Sequence, residues 1–247
     1  MKKFVTILLA LAVAGGGVWF FVLKKDEPAK DSSSQQQSKP FDKSAHSLDN
    51  PDSIWVIVNK RRQLNPKDYA PSDLVAPNAK LRLNAREQEM LMRQEVATAL
   101  EGLFAGAKKA NLDLMVASAY RPYNMQQNLY SRYVTQQGQI AADTQSARPG
   151  FSEHQTGLAV DVEPADQNCE VDTCFADTPE GKWVAANAYK YGFTLRYHQG
   201  QDDVTGYMYE PWHLRYVGKA LSEELHKQGD PTLEQFFGLD PAPNYGE

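Results

Sequence analysis

Residues 4–23 form an unbroken uncharged run bracketed by Lys2-Lys3 and Lys24-Lys25, and this run governs how the rest of the chain can be organised. Its length is what a helix needs to cross a bilayer, about 20 residues. A cleaved export signal is the rival reading, because Ala12-Val13-Ala14 has the character of a small-residue cleavage site. Apolar sequence continues past it through Val18-Trp19-Phe20-Phe21-Val22-Leu23, which favours a retained anchor. Both readings export the C-terminal bulk of the chain, although lysines at both ends leave the positive-inside rule with little to decide. The run holds no cysteine, so a lipid-modified cysteine anchor is excluded.

The expected organisation is therefore an anchor or signal over 1–25, a polar linker over 26–52 and one folded domain over 53–247. The linker is rich in Ser, Gln, Lys and Asp and too poor in apolar residues to offset its own ordering entropy. The net charge of −5 and pI near 5.6 do not suggest a nucleic-acid binder, and the basic residues are scattered along the chain. Only two cysteines occur, Cys169 and Cys174, close together in a polar stretch. A local disulfide is expected in an oxidising compartment. Two unpaired thiols are the bland alternative, and a metal pair fits the spacing poorly.

The folded part mixes helix and strand patterns without regular alternation, which argues for an α+β domain. Residues 54–58 (IWVIV) read as a strand. From 85 to 110, Met92, Val96, Leu100, Leu103 and Ala107 recur at helical spacing. Residues 112–119 read as a strand and 123–137 as a helix stopped by Gly138. LAVDVE, at 158–163, is a short strand with Ala159 and Asp161 on one face and Val160 and Val162 on the other. Thr178-Pro179 starts a helix that ends at Tyr191-Gly192. Residues 193–197 and 206–210 are candidate strands, and 221–227 a terminal helix.

Two segments carry the chemistry. In Ser152-Glu153-His154-Gln155-Thr156-Gly157-Leu158-Ala159-Val160-Asp161, a histidine precedes a turn that Gly157 permits, and the chain then enters the strand bearing Asp161. An aspartate among apolar strand residues is costly to bury unless it is paired or bound to a metal. In Glu210-Pro211-Trp212-His213, Pro211 pushes Glu210 towards an extended conformation, so one cleft can receive both Glu210 and His213 without a helix. Taken singly, each of these residues is more often structural than a ligand. Three protein ligands with an open position, plus a separate carboxylate as base, are what a hydrolytic zinc site needs.

The combined pattern S-x-H-x-x-G-x-A-x-D with E-x-W-H downstream resembles the VanY-type D-alanyl-D-alanine carboxypeptidases and their LdcB-type L,D-carboxypeptidase relatives, zinc peptidases of the M15 group, over about residues 54–226. The resemblance implies a small antiparallel sheet flanked by helices, the hedgehog/DD-peptidase-like zinc peptidase fold. It implies zinc on His154, Asp161 and His213, with Glu210 as catalytic base. Arg121, in Ser118-Ala119-Tyr120-Arg121-Pro122, matches an arginine that binds substrate and stabilises the developing oxyanion. Gln126 and Ser152 match positions near the bound peptide. Trp212 and Tyr120 are expected to pack around the site, while His46, His198 and His226 are not expected to ligate.

The implied activity is release of terminal D-alanine from peptidoglycan stem peptides by a monomer, at the outer face of the cell membrane and anchored by a single pass. Three alternatives stand beside it: an endopeptidase of the same fold, a non-catalytic peptidoglycan-binding module, and a structural protein with a buried His–Asp network.

Overall fold

The computed structural model describes residues 40–246. In chain order its elements are β1 (Leu74–Val75), β2 (Met92–Arg93), α1 (Gln94–Lys109), β3 (Leu114–Ser118), α2 (Tyr123–Gln137), α3 (Gln139–Gln145), β4 (Ala159–Pro164), α4 (Pro179–Asn187), β5 (Phe193–Leu195), the single turn α5 (Asp202–Thr205), β6 (His213–Tyr216), α6 (Lys219–Lys227) and α7 (Leu233–Phe237). β1 and β2 make a small ribbon, and the main sheet runs β3-β4-β6-β5 with every neighbour antiparallel. This is the expected α+β fold.

The strand alternation predicted for β4 holds. Val160 and Val162 face a core shared with Val116 of β3, Leu214 of β6 and the buried stripe Val96, Ala97, Leu100, Leu103 and Ala107 of α1. Truncating one such fully buried leucine to alanine removes roughly 2–5 kcal/mol of stability. The opposite face of β4 carries Asp161, directly across from Ser118 on one side and His213 on the other. The β3–β4 register shifts between Val116 and Ser118, so a bulge re-aims the end of β3 beside Asp161.

Helix ends obey local chemistry. Thr178 caps α4 by accepting the Gly181 amide at 2.9 Å, with Pro179 at the first helical position. Gly138 closes α2 at φ +82°, a conformation that favours glycine, and α3 starts directly after it.

Several expected elements differ. Residues 54–58 form no strand: Ile54 and Trp55 lie in a turn closed by the Val56 amide on the Ser53 carbonyl. Trp55 and Ile57 enter a second cluster with Val217, Leu221, Leu225, Leu233 and Phe236, while Val56 and Val58 enter the main core. The period of two is real, yet the carbonyls of Ile54 and Val56 are taken by the Arg215 side chain rather than by a neighbouring strand. The helix expected from residue 85 begins only at Gln94. The Asn84 side chain accepts the Arg86 amide and sets a turn, and Met92 is held in the β1–β2 ribbon. Residues 206–210 are not a strand: Gly206 terminates α5 at φ +84°, and the strand starts after the proline, at His213.

The domain also begins earlier than expected. Phe41 and Leu48 pack on the second cluster, and Phe41 stacks on Trp55 at 5.7 Å, so residues 41–52 belong to the folded unit rather than to the linker. The anchor expected over 1–25 lies outside the described residues. Among the described residues, no helix is long and apolar enough to cross a membrane.

Candidate active site and metal centre

Three elements converge on one cleft. The Glu153–Thr156 3₁₀ turn presents His154, and Gly157 at φ +67° reverses the chain into β4. β4 supplies Asp161, and its cross-strand partner His213 opens β6. Glu210 reaches the same place through a tight turn in which the His213 amide donates to the Glu210 carbonyl at 3.1 Å.

The side chains meet closely. His154 Nε2 lies 3.3 Å from Asp161 Oδ2, and His213 Nδ1 lies 3.1 Å from Asp161 Oδ1 and 3.6 Å from Glu210 Oε2. The two imidazoles stand edge to face, 4.9 Å apart at 89°. One ligand atom from each of His154, Asp161 and His213 fits within 4.8 Å of the others, and all three residues are buried. The carboxylate oxygen Asp161 Oδ1 is buried with no hydrogen-bond partner although an imidazole nitrogen is 3.1 Å away. Such a pair, close but not hydrogen-bonded, is a donor pair a cation would bridge. Two nitrogens and a carboxylate suit zinc, with room for a fourth ligand.

The electrostatics ask for the same positive charge. Burial opposes ionisation of Asp161, but the two imidazoles hold it well below the usual carboxylate range. Burial likewise opposes charge on His213, yet Asp161 and Glu153 lift its pKa to about 9, so without a metal the site draws in a proton instead. Glu210 is pushed up to about 7, chiefly by burial, with His213 pulling it down and Asp161 pushing it up. A carboxyl poised near neutrality suits proton transfer.

The remaining expected residues line the same cleft of 420 Å³. The Arg121 amide donates to the His154 carbonyl at 3.1 Å, which ties the arginine to the turn that presents His154. Its guanidinium donates to Gln126 Oε1 at 3.1 Å and Ser118 Oγ at 3.0 Å. Among the described residues it has no carboxylate within 4.0 Å, so its charge faces the cleft unneutralised. Gln126 is buried and committed at both ends: its amide donates to Ser146 Oγ and the Ala147 carbonyl. Its polar atoms are thus all engaged by the protein, on the same cleft wall as Arg121. Ser152 is buried on the cleft wall. Cys169 and Cys174 form a disulfide, and Val171, Asp172 and Thr173 between them line the cleft.

The sequence motifs give Glu153 no role. It is fully buried, and its Oε1 accepts from Arg196 Nε at 2.8 Å and Arg215 Nη1 at 2.9 Å. Arg196 also grips Glu234 with two further nitrogens, at 2.9 and 2.6 Å. A signal for this cluster does exist in the sequence, because Arg215 lies two residues beyond His213 and so shares its strand face.

The D-alanyl-D-alanine carboxypeptidase family VanY matches residues 89–219, a span that contains every proposed ligand. The chain belongs to this family. It is 42% identical to YodJ of Bacillus subtilis (strain 168), a carboxypeptidase by name, over 77% of this chain and 69% of that one. The structure of the LdcB LD-carboxypeptidase superposes with a TM-score of 0.72 at 42% identity, over 76% of this chain and 87% of that one. The vancomycin-resistance D,D-pentapeptidase VanY, solved with Zn(II), matches at TM-score 0.60 and 28% identity, covering 73% and 97%.

Proposed function

We propose that this carboxypeptidase depends on zinc held by His154, Asp161 and His213, and releases the terminal D-alanine of peptidoglycan stem peptides. The observation that carries the reading is the cross-strand pair Asp161–His213, joined by His154 and flanked by Glu210, in one buried site that favours a cation. When bound there, zinc supplies Lewis acidity that activates water and polarises the scissile carbonyl.

The chain's own residues supply the rest. Glu210 accepts the proton of the attacking water and delivers it to the departing amine. The unneutralised guanidinium of Arg121 stabilises negative charge on substrate oxygens, either the terminal carboxylate or the developing oxyanion. Gln126 and Ser118 hold Arg121 without cancelling its charge.

The stronger likeness to the LdcB LD-carboxypeptidase supports the tetrapeptide, with its L,D bond, as the favoured substrate. The family's own description supports the pentapeptide D,D bond as the second reading. Incubation with defined tri-, tetra- and pentapeptide stems separates them by product mass. Free D-alanine from the tetrapeptide is expected. Internal fragments without free D-alanine would overturn the carboxypeptidase reading in favour of an endopeptidase. Release of no product at all would point to a binding module.

The same proposal places the domain outside the cytoplasm, tethered through residues 1–25. The apolar run and the Cys169–Cys174 disulfide support this, since disulfides persist in oxidising compartments. Digestion of intact cells by added protease is expected to remove the domain, and full protection would count against it.

A further inference from the structure

We infer that Glu153 is a positioning residue that fixes the tautomer of His213, and thereby which ring nitrogen is offered to the metal. The inference rests on the reading of His154, Asp161 and His213 as ligands, and concerns a residue that touches neither metal nor substrate.

The two halves of the Glu153 carboxylate have different fates. Oε1 takes both guanidinium bonds, from Arg196 and Arg215. Oε2 is buried and lacks a hydrogen-bond partner. Across from it, 3.6 Å away, lies His213 Nε2, which is also buried and also lacks a partner. A buried acceptor left unmade costs roughly 1–3 kcal/mol, and more when it carries charge. One arrangement satisfies both atoms: a proton on Nε2 directed at Oε2. A carboxylate flanked by two arginines can only accept, so it rewards the Nε2–H tautomer and leaves the lone pair on Nδ1.

Nδ1 is the nitrogen that lies 3.1 Å from Asp161 Oδ1. His154 is fixed in the opposite sense. Its Nδ1 sits 2.5 Å from the Ala119 carbonyl, which also can only accept, so Nε2 is the nitrogen left facing Asp161. One ligand is set by a backbone oxygen and the other by a carboxylate, and the second is exchangeable by mutation. Arg196 and Arg215 hold that carboxylate at a fixed angle, carrying the orientation from the ion cluster into the metal site.

The decisive variant is Glu153→Gln. Its carboxamide oxygen can keep both guanidinium bonds, which turns the NH₂ group toward His213 and rewards the wrong tautomer. The full chain, labelled with ¹⁵N-histidine, is read by long-range ¹H–¹⁵N correlation with and without zinc, and zinc affinity is measured by competition with a chelator. The expected result, read at about pH 10 where the His213 ring is neutral, is an Nε2–H tautomer in the zinc-free wild type and Nδ1–H in Glu153→Gln. Zinc affinity should fall about 10–100-fold in the variant, as for other outer partners of ligating histidines. A folded variant with unchanged tautomer and unchanged affinity overturns the inference.

If Glu153→Gln does not fold, the wild-type spectrum alone decides, because a neutral Nδ1–H ring at His213 in the zinc-free chain at that pH would overturn it. A wild-type chain that binds no zinc would sink the metal reading instead, while the zinc-free tautomer would still report on Glu153.

Discussion

Arg121 and Arg196 sit within one small domain, each a short distance from His154 and His213, and they are treated in opposite ways. Arg196 is fully buried and locked to two carboxylates, Glu153 and Glu234, with Arg215 completing a cluster of two positive and two negative groups. Arg121 is half-buried and held by neutral oxygens alone, from Gln126 and Ser118. The acidic groups show the same contrast. Glu153 is held well below the carboxylate range because, although burial opposes it, Arg196 and Arg215 face it. Glu210 forms no ion pair with a guanidinium and is pushed up to about 7, chiefly by desolvation, with His213 and Arg121 offsetting it only in part. Compensated charges make a rigid floor, and uncompensated charges make a reactive cleft. Such an imbalance fits a cleft whose charges a bound metal and substrate would satisfy.

The comparison breaks first on Glu210. Glu210→Gln should lower kcat by about 10²–10⁴-fold, the usual worth of a positioned acid–base group. Zinc content and thermal midpoint should stay at wild-type values, because no carboxylate–guanidinium pair is lost. A variant that keeps its turnover would show that proton transfer lies elsewhere.

The reverse pattern is expected for Arg196→Met. Removing one partner of a buried ion cluster leaves Glu153 and Glu234 with fewer donors, at a cost of roughly 3–5 kcal/mol. Urea titration should show that loss. If stability is unchanged, the floor is not held by charge pairing.

These contrasts were unevenly legible in the amino-acid order. His154, Gly157 and Asp161 lie close in sequence, so a turn and a strand of period two already put one histidine beside one aspartate. Cross-strand pairing of Asp161 with His213 depends on register between strands some 50 residues apart, which local pattern does not encode. The motif could name those two residues but not join them. Glu153 stayed unread because a glutamate between a serine and a histidine looks like a solvated turn. Its partners lie 43 and 62 residues away, just beyond β5 and on β6. Residues 54–58 carried a correct alternation and a wrong inference, since Arg215 rather than a strand takes two of their carbonyls. Phe41 and Leu48 were too few to outweigh the polar residues around them, yet each finds an apolar contact in the second cluster.

Acid should erode the floor by a route that Glu234 exposes. Burial opposes its charge, but Arg196 and Asn59 hold its pKa below the ordinary glutamate value. A depressed carboxyl pKa means the folded state binds fewer protons than the unfolded one. Its stabilisation is therefore complete above the unfolded pKa and fades as pH falls through the lower, folded one. Wild type should be more stable than Glu234→Gln at pH 7, and the gap should close below about pH 4. A gap independent of pH would mean that the variant acts through packing, and that the charge of Glu234 does not hold the cluster together.

Gln126 offers the smallest test and the one closest to the boundary between the two regions. It is neutral, buried like the floor, and hydrogen-bonded to the cleft arginine. Gln126→Leu keeps the volume and removes the acceptor from Arg121 and the donors to Ser146 and Ala147. A neutral hydrogen bond to a charged group is worth about 1.5–3 kcal/mol, and Arg121 retains Ser118, so a loss near the lower end is expected, roughly tenfold in kcat/KM. Because Arg121 is read as meeting substrate oxygens, the loss should appear with short and long stem peptides alike, while zinc affinity stays unchanged. If zinc affinity falls instead, Gln126 acts through the Arg121–His154 backbone link on the metal ligands. The line between floor and cleft would then run on the other side of this residue.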